Sequence, residues 1–476
     1  GAAACVASWL AEGGVTGARM ETELLIIGGG PGGYTAAFAA ADRGMEVVLV
    51  DLRPLPGGVC LHEGCIPSKA LLAAAEVVEQ GRGARRMGIE FGEPAIDLDR
   101  LRAWKEGVVG RMARGLASLA QARHVRRLVG TARLLSANEA VVAGAGGEER
   151  IRFHHAILAA GSRATAPPPL AGAPGTMDAQ AALALEQIWP RLLVVGAGAV
   201  GLELGGAYAA LGSRVILVEQ EGQLLPGVEG ELVAPLARAC RRQFGALHTA
   251  TRVAAVREVA GGLQVVLTGA GAATVEVDRI LVATGRRPNS DLLGLDTTTV
   301  ALDAAGFVKT DATGRTREPT LFAIGDLTGP PLLAHRASHQ AQVAVAAIGG
   351  APTPPGAPIP AVVYTRPEIA WVGAQQPPPK GRVTHFPWSA SGRGATLGDA
   401  TGLTRLVWDA AGHLAGGGIA GAHAGELIAE LTLALTLHAT AEEIAATCHP
   451  HPTLAETVME GAALFTGATT HLPPER

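Results

Sequence analysis

Short apolar runs closed by glycine recur along this 476-residue chain, and their order predicts one supersecondary unit twice. Leu24-Leu25-Ile26-Ile27 is apolar at every position rather than at alternate ones, as a strand covered on both faces must be. It runs into Gly28-Gly29-Gly30-Pro31-Gly32-Gly33, then an alanine-rich, helix-like stretch from Tyr34 to Arg43, then a second strand from Glu46 to Val50 ending at Asp51. The order returns with Leu192 to Val195, Gly196-Ala197-Gly198-Ala199-Val200-Gly201, another helix-like stretch, and the strand Val215 to Val218 ending at Glu219. Two such βαβ units in tandem make the fold class α/β, with two Rossmann-like domains.

The segment Ala70 to Leu119 is mostly helix-like with polar punctuation and is expected to cover the first sheet. A strand pattern from Arg150 to Leu158 precedes Ala159-Ala160-Gly161-Ser162, a small-residue turn that returns the chain to that sheet, and Pro167-Pro168-Pro169 marks a linker. Asp278 to Ala283 reads as the strand leading out of the second unit, with Gly285 in the turn beyond it. Phe322-Ala323-Ile324-Gly325-Asp326 reads as a short strand ending in an acid. The expected boundaries are an extension at 1–19, then segments 20–165, 166–285, 286–357 and 358–476. Residues 1–19 begin without Met and lack the basic start of a signal peptide, so they read as an extension ahead of the first strand.

Each glycine run fits a dinucleotide. Gly28 permits the turn, Gly30 lets backbone approach a pyrophosphate at the helix N-terminus, and Gly33 lets helix pack on strand, while Asp51 can bind ribose hydroxyls. Gly196, Gly198, Gly201 and Glu219 repeat those roles. A carboxylate at Glu219 accepts from a 2′-hydroxyl and repels a 2′-phosphate, which favours NAD over NADP.

Directly after the first unit comes Gly57-Gly58-Val59-Cys60-Leu61-His62-Glu63-Gly64-Cys65-Ile66-Pro67-Ser68-Lys69. On an ideal helix, Cα atoms five positions apart lie about 8 to 9 Å from each other, beyond the roughly 7 Å limit for a disulfide. A bridge between Cys60 and Cys65 therefore needs a distorted turn. Gly57, Gly58 and Gly64 supply the freedom, and Pro67 biases Ile66 away from helical geometry. Two readings stand: buried structural thiols, or a strained, accessible disulfide that cycles. The fingerprint immediately upstream favours the second.

A net charge of -4 gives no general attraction to nucleic acid or anionic membrane, and no apolar run is long enough for a transmembrane helix. The five cysteines are scattered apart from the one close pair, which argues against a secreted disulfide framework and for a reducing cytoplasm. No spacing of ligands suggests a metal.

Further motifs are Ala283-Thr284-Gly285-Arg286-Arg287-Pro288-Asn289, Leu333-Ala334-His335-Arg336-Ala337, Tyr364-Thr365-Arg366-Pro367-Glu368 and His449-Pro450-His451-Pro452-Thr453-Leu454-Ala455-Glu456. With the redox stretch and both fingerprints, they make residues 20–470 resemble the pyridine nucleotide-disulfide oxidoreductases and, within them, the dihydrolipoamide dehydrogenases. The resemblance implies an FAD domain split in sequence, an NAD domain inserted in it, a central domain, and a C-terminal α+β domain forming a homodimer. It implies FAD on Gly28 to Gly33 with Asp51 at its ribose and Asp326 near its ribitol, and NAD at the second fingerprint. Gly161 and Gly285 are carried over as cofactor-side turns. Lys69 would approach the flavin and pair with Glu203. Cys60 would be the interchange thiol and Cys65 the charge-transfer thiol. His451 would be the acid-base catalyst reaching the other subunit's disulfide, with Glu456 holding its ring and a cis bond at His451-Pro452. The implied partner is a lipoylated carrier protein.

The chain departs from the usual pattern of that family at Val59, His62 and Glu63, and has Asp51 where Glu is common. His62 and Glu63 lie between the cysteines, where they could shift thiol pKa values or the reduction potential. The competing readings are an NAD(P)H-dependent disulfide or mercuric reductase of the same family and, from another class, a flavin-binding assembly subunit. The mercuric reading lacks a C-terminal cysteine pair, and a glutathione-type reductase would favour arginine where Glu219 stands.

Overall fold

The computed structural model describes residues 20–353, 356–398 and 400–473. The extension expected over 1–19 lies outside them. The chain divides into two compact units, one drawn from Gly1–Ile66, Glu106–Arg163 and Arg286–Gly356, the other from Pro67–Lys105, Ala164–Gly285 and Ala357–Arg476.

In the first unit, strand β1 (Met20–Ile27) has parallel neighbours on both sides: β2 (Val47–Asp51), with Ile26 opposite Leu49, and Gly147–Leu158, with Ile26 opposite Ile157. Sandwiching explains its unbroken apolar run. Leu24 and Ile26 face helix α1 (Pro31–Ala41) and the helix Ala334–Ile348, while Leu25 and Ile27 face a second core with Leu293, Leu295 and Val308. The alanines of α1 let it lie close to the sheet. Arg126–Val129 extends the sheet beyond β2, and an antiparallel pair, Thr131–Ser136 and Glu139–Gly144, extends it on the other side. Leu321–Ala323 returns from far downstream to pair in parallel with the end of Gly147–Leu158. After β2 come helix α2 (Gly58–Glu63) and helix α3 (Cys65–Gly83), which from Pro67 onward belongs to the second unit.

The second unit repeats the core. Strand β3 (Arg191–Val195) is followed by helix α4 (Ala199–Ala210) and strand β4 (Arg214–Val218), in a five-stranded parallel sheet completed by Arg279–Val282, Ala246–His248 and Thr176–Met177. One face is covered by an antiparallel meander, Thr251–Val259, Gly262–Gly269 and Ala273–Val277, whose Val253, Val265 and Leu267 pack on Leu193 and Val218. The same unit carries a five-stranded antiparallel sheet built from Ala361–Val363, Glu368–Gly373, Leu414–Gly421, Leu403–Trp408 and Arg382–Pro387, in that spatial order. Helix α5 (Glu456–Thr466) packs against the last two of these strands.

Two buried tryptophans anchor that last sheet, and each indole N–H has a partner, as burial requires. Trp408 donates to Thr384 Oγ1 (2.9 Å), which donates to the Gly461 carbonyl (2.7 Å). Trp388 donates to Thr404 Oγ1 (3.0 Å), Thr404 lies 2.8 Å from Thr457 Oγ1, and Thr457 donates to the Leu454 carbonyl (2.7 Å). Since Thr457 spends its proton on Leu454, Thr404 is the donor between the two hydroxyls. Thr404→Val strands the Trp388 N–H in an apolar core and is expected to destabilise the protein by about 1–3 kcal/mol. Urea unfolding of the variant beside wild type checks it; equal midpoints would contradict it.

Candidate active site

The redox segment is seated on the first glycine loop. The Gly57 N–H donates to the Gly29 carbonyl at 2.7 Å. Gly58, at φ +59°, comes so near Gly30 that an added Cβ would lie 2.5 Å from its Cα. Cys60 then rides on α2, which ends at Gly64, where φ -143° and ψ -108° leave the helical region. Cys65 opens α3. The distortion between the cysteines is thus a helix break at Gly64. The expected bias of Ile66 away from helix is corrected: both Ile66 and Pro67 are helical, because Pro67 falls in the first turn of α3, where a missing N–H costs no helix bond. Cys60 and Cys65 are half-buried. Tyr34 on α1 lies in their field: burial, then Cys60 and then Cys65 raise its hydroxyl pKa above the ordinary value. The other cysteines differ. Burial pushes the Cys240 thiol up to about 12, and Cys448 is exposed.

The two residues that set this stretch apart both turn back onto the loop after β2. His62 Nε2 lies 3.1 Å from the Leu55 carbonyl and 3.2 Å from that of Pro56, two acceptors that call for a proton on Nε2. Glu63 pairs with Arg53 at 2.7 Å.

Both fingerprints fit a dinucleotide. Helices α1 and α4 start at Gly30 and Gly198 with no side-chain cap and no acid in the first turn, which leaves their amides for a pyrophosphate. A Cβ at Gly198 would meet nothing within 4 Å, whereas one at Gly33 or Gly201 would strike the Gly28 or Gly196 carbonyl oxygen at 1.7 or 1.9 Å. The first position needs space for a ligand and the second needs glycine for packing. Asp51 accepts from the Gly29 N–H and, at 2.8 Å, from the Arg53 N–H, and it borders a shallow surface hollow with Arg53, Pro54, Arg127 and Val129. Glu219 repeats the contacts in its own unit, accepting from Ala197 N–H (2.6 Å) and Glu221 N–H (2.9 Å). Gly161 and Gly285 take positive φ, +69° and +147°. Asp326 lies in a short 3-10 turn after the strand Leu321–Ala323 rather than at a strand end. It accepts from Ser162 Oγ at 2.5 Å, and Arg286 donates to that hydroxyl (2.7 Å) and to the Ser162 carbonyl (2.6 Å). Ser162 and Arg286 lie in turn motifs whose spacing carries no role for either residue.

In the second unit, Lys69 donates to Glu203 Oε2 at 2.7 Å, and Glu203 Oε1 accepts from the Tyr364 N–H at 3.0 Å. The Lys69 ammonium also stands 4.4 Å from the centroid of the Tyr364 ring. Tyr364 is a partner that the motif contained without showing why. His451 Nδ1 lies 2.9 Å from Glu456 Oε1, and the Thr453 N–H donates to Glu456 Oε2 at 2.7 Å. Burial opposes ionisation of Glu456, but the Thr453 amide, the His451 ring and the charge of His471 outweigh it and hold the carboxyl below its ordinary range. An ionised Glu456 only accepts, so Nδ1 carries a proton, and in the neutral ring the accepting nitrogen is Nε2, on a side chain that is 71% exposed. His449 offers nothing comparable, since its side chain is 5% exposed and both ring nitrogens are engaged, with Thr447 and Glu430. The His451-Pro452 bond is cis, as are Pro330-Pro331 and Arg366-Pro367. Among the described residues no group of three or more His, Cys, Asp or Glu could hold a metal ion, and no helix is long and apolar enough to cross a membrane.

Residues 22–346 match the family model for pyridine nucleotide-disulphide oxidoreductases, and residues 359–462 match the dimerisation domain of the same family. The chain is 39% identical over 466 residues to a dihydrolipoyl dehydrogenase of Vibrio cholerae, covering 96% of this chain and 98% of that one. It is 42% identical to a dihydrolipoyl dehydrogenase of Thermus scotoductus, covering 94% and 98%. The crystal structure of LpdA from Mycobacterium tuberculosis superposes with a TM-score of 0.85 at 25% identity, covering 93% of this chain and 99% of that one.

Because the folded Glu456 carboxyl titrates below its unfolded value, its contacts stabilise the fold fully above the ordinary carboxylate range and lose that effect as pH falls through the lower, folded value. Glu456→Gln should therefore melt below wild type at neutral pH, with the gap closing in acid. Thermal melts across pH check this, and a gap that does not change with pH would contradict it.

Proposed function

Because the chain belongs to the pyridine nucleotide-disulphide oxidoreductase family, we propose that it works as a homodimeric dihydrolipoyl dehydrogenase, oxidising dihydrolipoyl groups with Cys60 and Cys65 and reducing NAD. The observation that carries this reading is the seating of a Cys60–Cys65 helix break directly on a dinucleotide loop, through Gly57 and Gly58. The cofactors are FAD and NAD. FAD, when bound, would take up the electron pair released by the dithiol, and NAD would accept it as hydride.

The residues supply the rest. A dihydrolipoyl thiol is mostly protonated near neutral pH and attacks sulfur only as thiolate. His451, with Nδ1 held by Glu456 and Nε2 bare, is built to take that proton, and it serves the cysteine pair of the other subunit. Cys60 is the thiol that exchanges with substrate and Cys65 its partner. Lys69, fixed by Glu203 and by the Tyr364 ring, acts as the positive charge for the flavin. Asp51 serves the adenosine ribose of FAD, Asp326 its ribitol, and Glu219 the adenosine ribose of NAD. The lipoyl group arrives on a carrier protein in the cytoplasm, as the cysteine usage supports.

Purified protein should reduce NAD when given dihydrolipoamide, and His451→Gln should lower kcat by about 10²–10⁴-fold while leaving the flavin bound. Absence of NADH formation by the wild type would sink the reading. A His451→Gln variant as fast as wild type would remove His451 from its role.

A further inference from the structure

The loop from Asp51 to Pro56 touches the redox helix through side chains that neither fingerprint accounts for. Arg53 reaches across to Glu63 at 2.7 Å, with side chains only 28% and 22% exposed. Its own N–H donates to Asp51 Oδ1 at 2.8 Å, so a single residue joins the carboxylate at the end of β2 to the helix that carries Cys60. His62 makes a second tie, from Nε2 to the carbonyls of Leu55 and Pro56.

Glu63 is the only acid between the two cysteines. It follows Cys60 by three positions on α2, and residues so spaced on a helix stand about 5–6 Å apart at Cβ. A bare carboxylate there opposes formation of a thiolate, whereas one held against a guanidinium is close to neutral in its effect. Other polar groups beside the pair are Tyr34 from α1, His62 on α2, and Ser68 and Lys69 within about one turn of Cys65 on α3.

We propose that Arg53 is a positioning residue of the redox site: by pairing with Glu63 it cancels the negative charge between Cys60 and Cys65 and fixes α2 to the nucleotide-side loop. The inference rests on the assignment of Cys60 and Cys65 as the redox pair. Since Arg53 acts through Glu63, the two residues have opposite electrostatic effects on the thiolate. Arg53→Gln leaves Glu63 uncompensated and disfavours it; Glu63→Gln leaves Arg53 uncompensated and favours it; the double variant falls back toward wild type.

The test uses the flavin-loaded dimer of wild type, R53Q, E63Q and R53Q/E63Q, reduced anaerobically with one equivalent of dithionite. It reads the long-wavelength thiolate-to-flavin absorbance at neutral pH and the rate of alkylation by iodoacetamide. R53Q is expected to lose absorbance and to alkylate about threefold more slowly, E63Q to shift both in the opposite sense, and the double variant to return to within about a factor of two of wild type. Changes of the same sign in both single variants, or a double variant no better than R53Q, would overturn the inference while leaving the redox assignment standing. A wild-type protein with no such absorbance would overturn both. If R53Q fails to retain flavin, the comparison of E63Q with R53Q/E63Q decides the matter, and equal values in the two would overturn the inference.

Discussion

The contact on which the site depends is backbone against backbone. The redox segment can lie on the first dinucleotide loop only because Gly58 has no side chain: a Cβ there would stand 2.5 Å from the Gly30 Cα. That approach, with the Gly57 to Gly29 hydrogen bond, sets where α2 begins and so where Cys60 sits relative to any ligand at the N-terminus of α1. A larger residue at Gly58 would move the cysteines away from the loop rather than merely loosen a turn.

Around this contact the chain applies one device twice. Each fingerprint helix begins uncapped, and each second strand ends in a carboxylate that accepts two loop amides, Asp51 in one unit and Glu219 in the other. These bonds hold the carboxylate and the glycine loop in one arrangement, a preformed edge for the ribose that the proposed function places there. The same economy governs the histidine. Glu456 is tied by the Thr453 amide before it orients His451, and the Trp388–Thr404–Thr457 relay ends at Leu454, between the two.

Much of this was legible in the sequence because it lies in local patterns. Unbroken apolar runs marked the parallel strands, and glycine spacing with a terminal acid marked both nucleotide units. The close pair of cysteines marked the site. The rest required contacts between distant segments. Ser162, wedged between Asp326 and Arg286, and Tyr364, beside Glu203 and Lys69, sit in motifs whose spacing says nothing of what they touch. Glu63 reads in the sequence as an acid that could shift the thiol pKa values, but no local pattern carries its pairing with Arg53 ten positions upstream. Pro67 misled for a different reason: proline breaks a helix interior but suits a first turn, and only the break at Gly64 decides which of the two applies.

The central claim is that electrons from a dihydrolipoyl dithiol enter through Cys60 and Cys65 and leave as NADH. Anaerobic titration of the yellow protein with dihydrolipoamide, followed in the visible spectrum, and then addition of NAD tests it most directly. A long-wavelength band should grow with dihydrolipoamide and disappear as NADH forms. Flavin left unchanged by dihydrolipoamide but readily reduced by NADPH would contradict both the substrate and the nucleotide assignment.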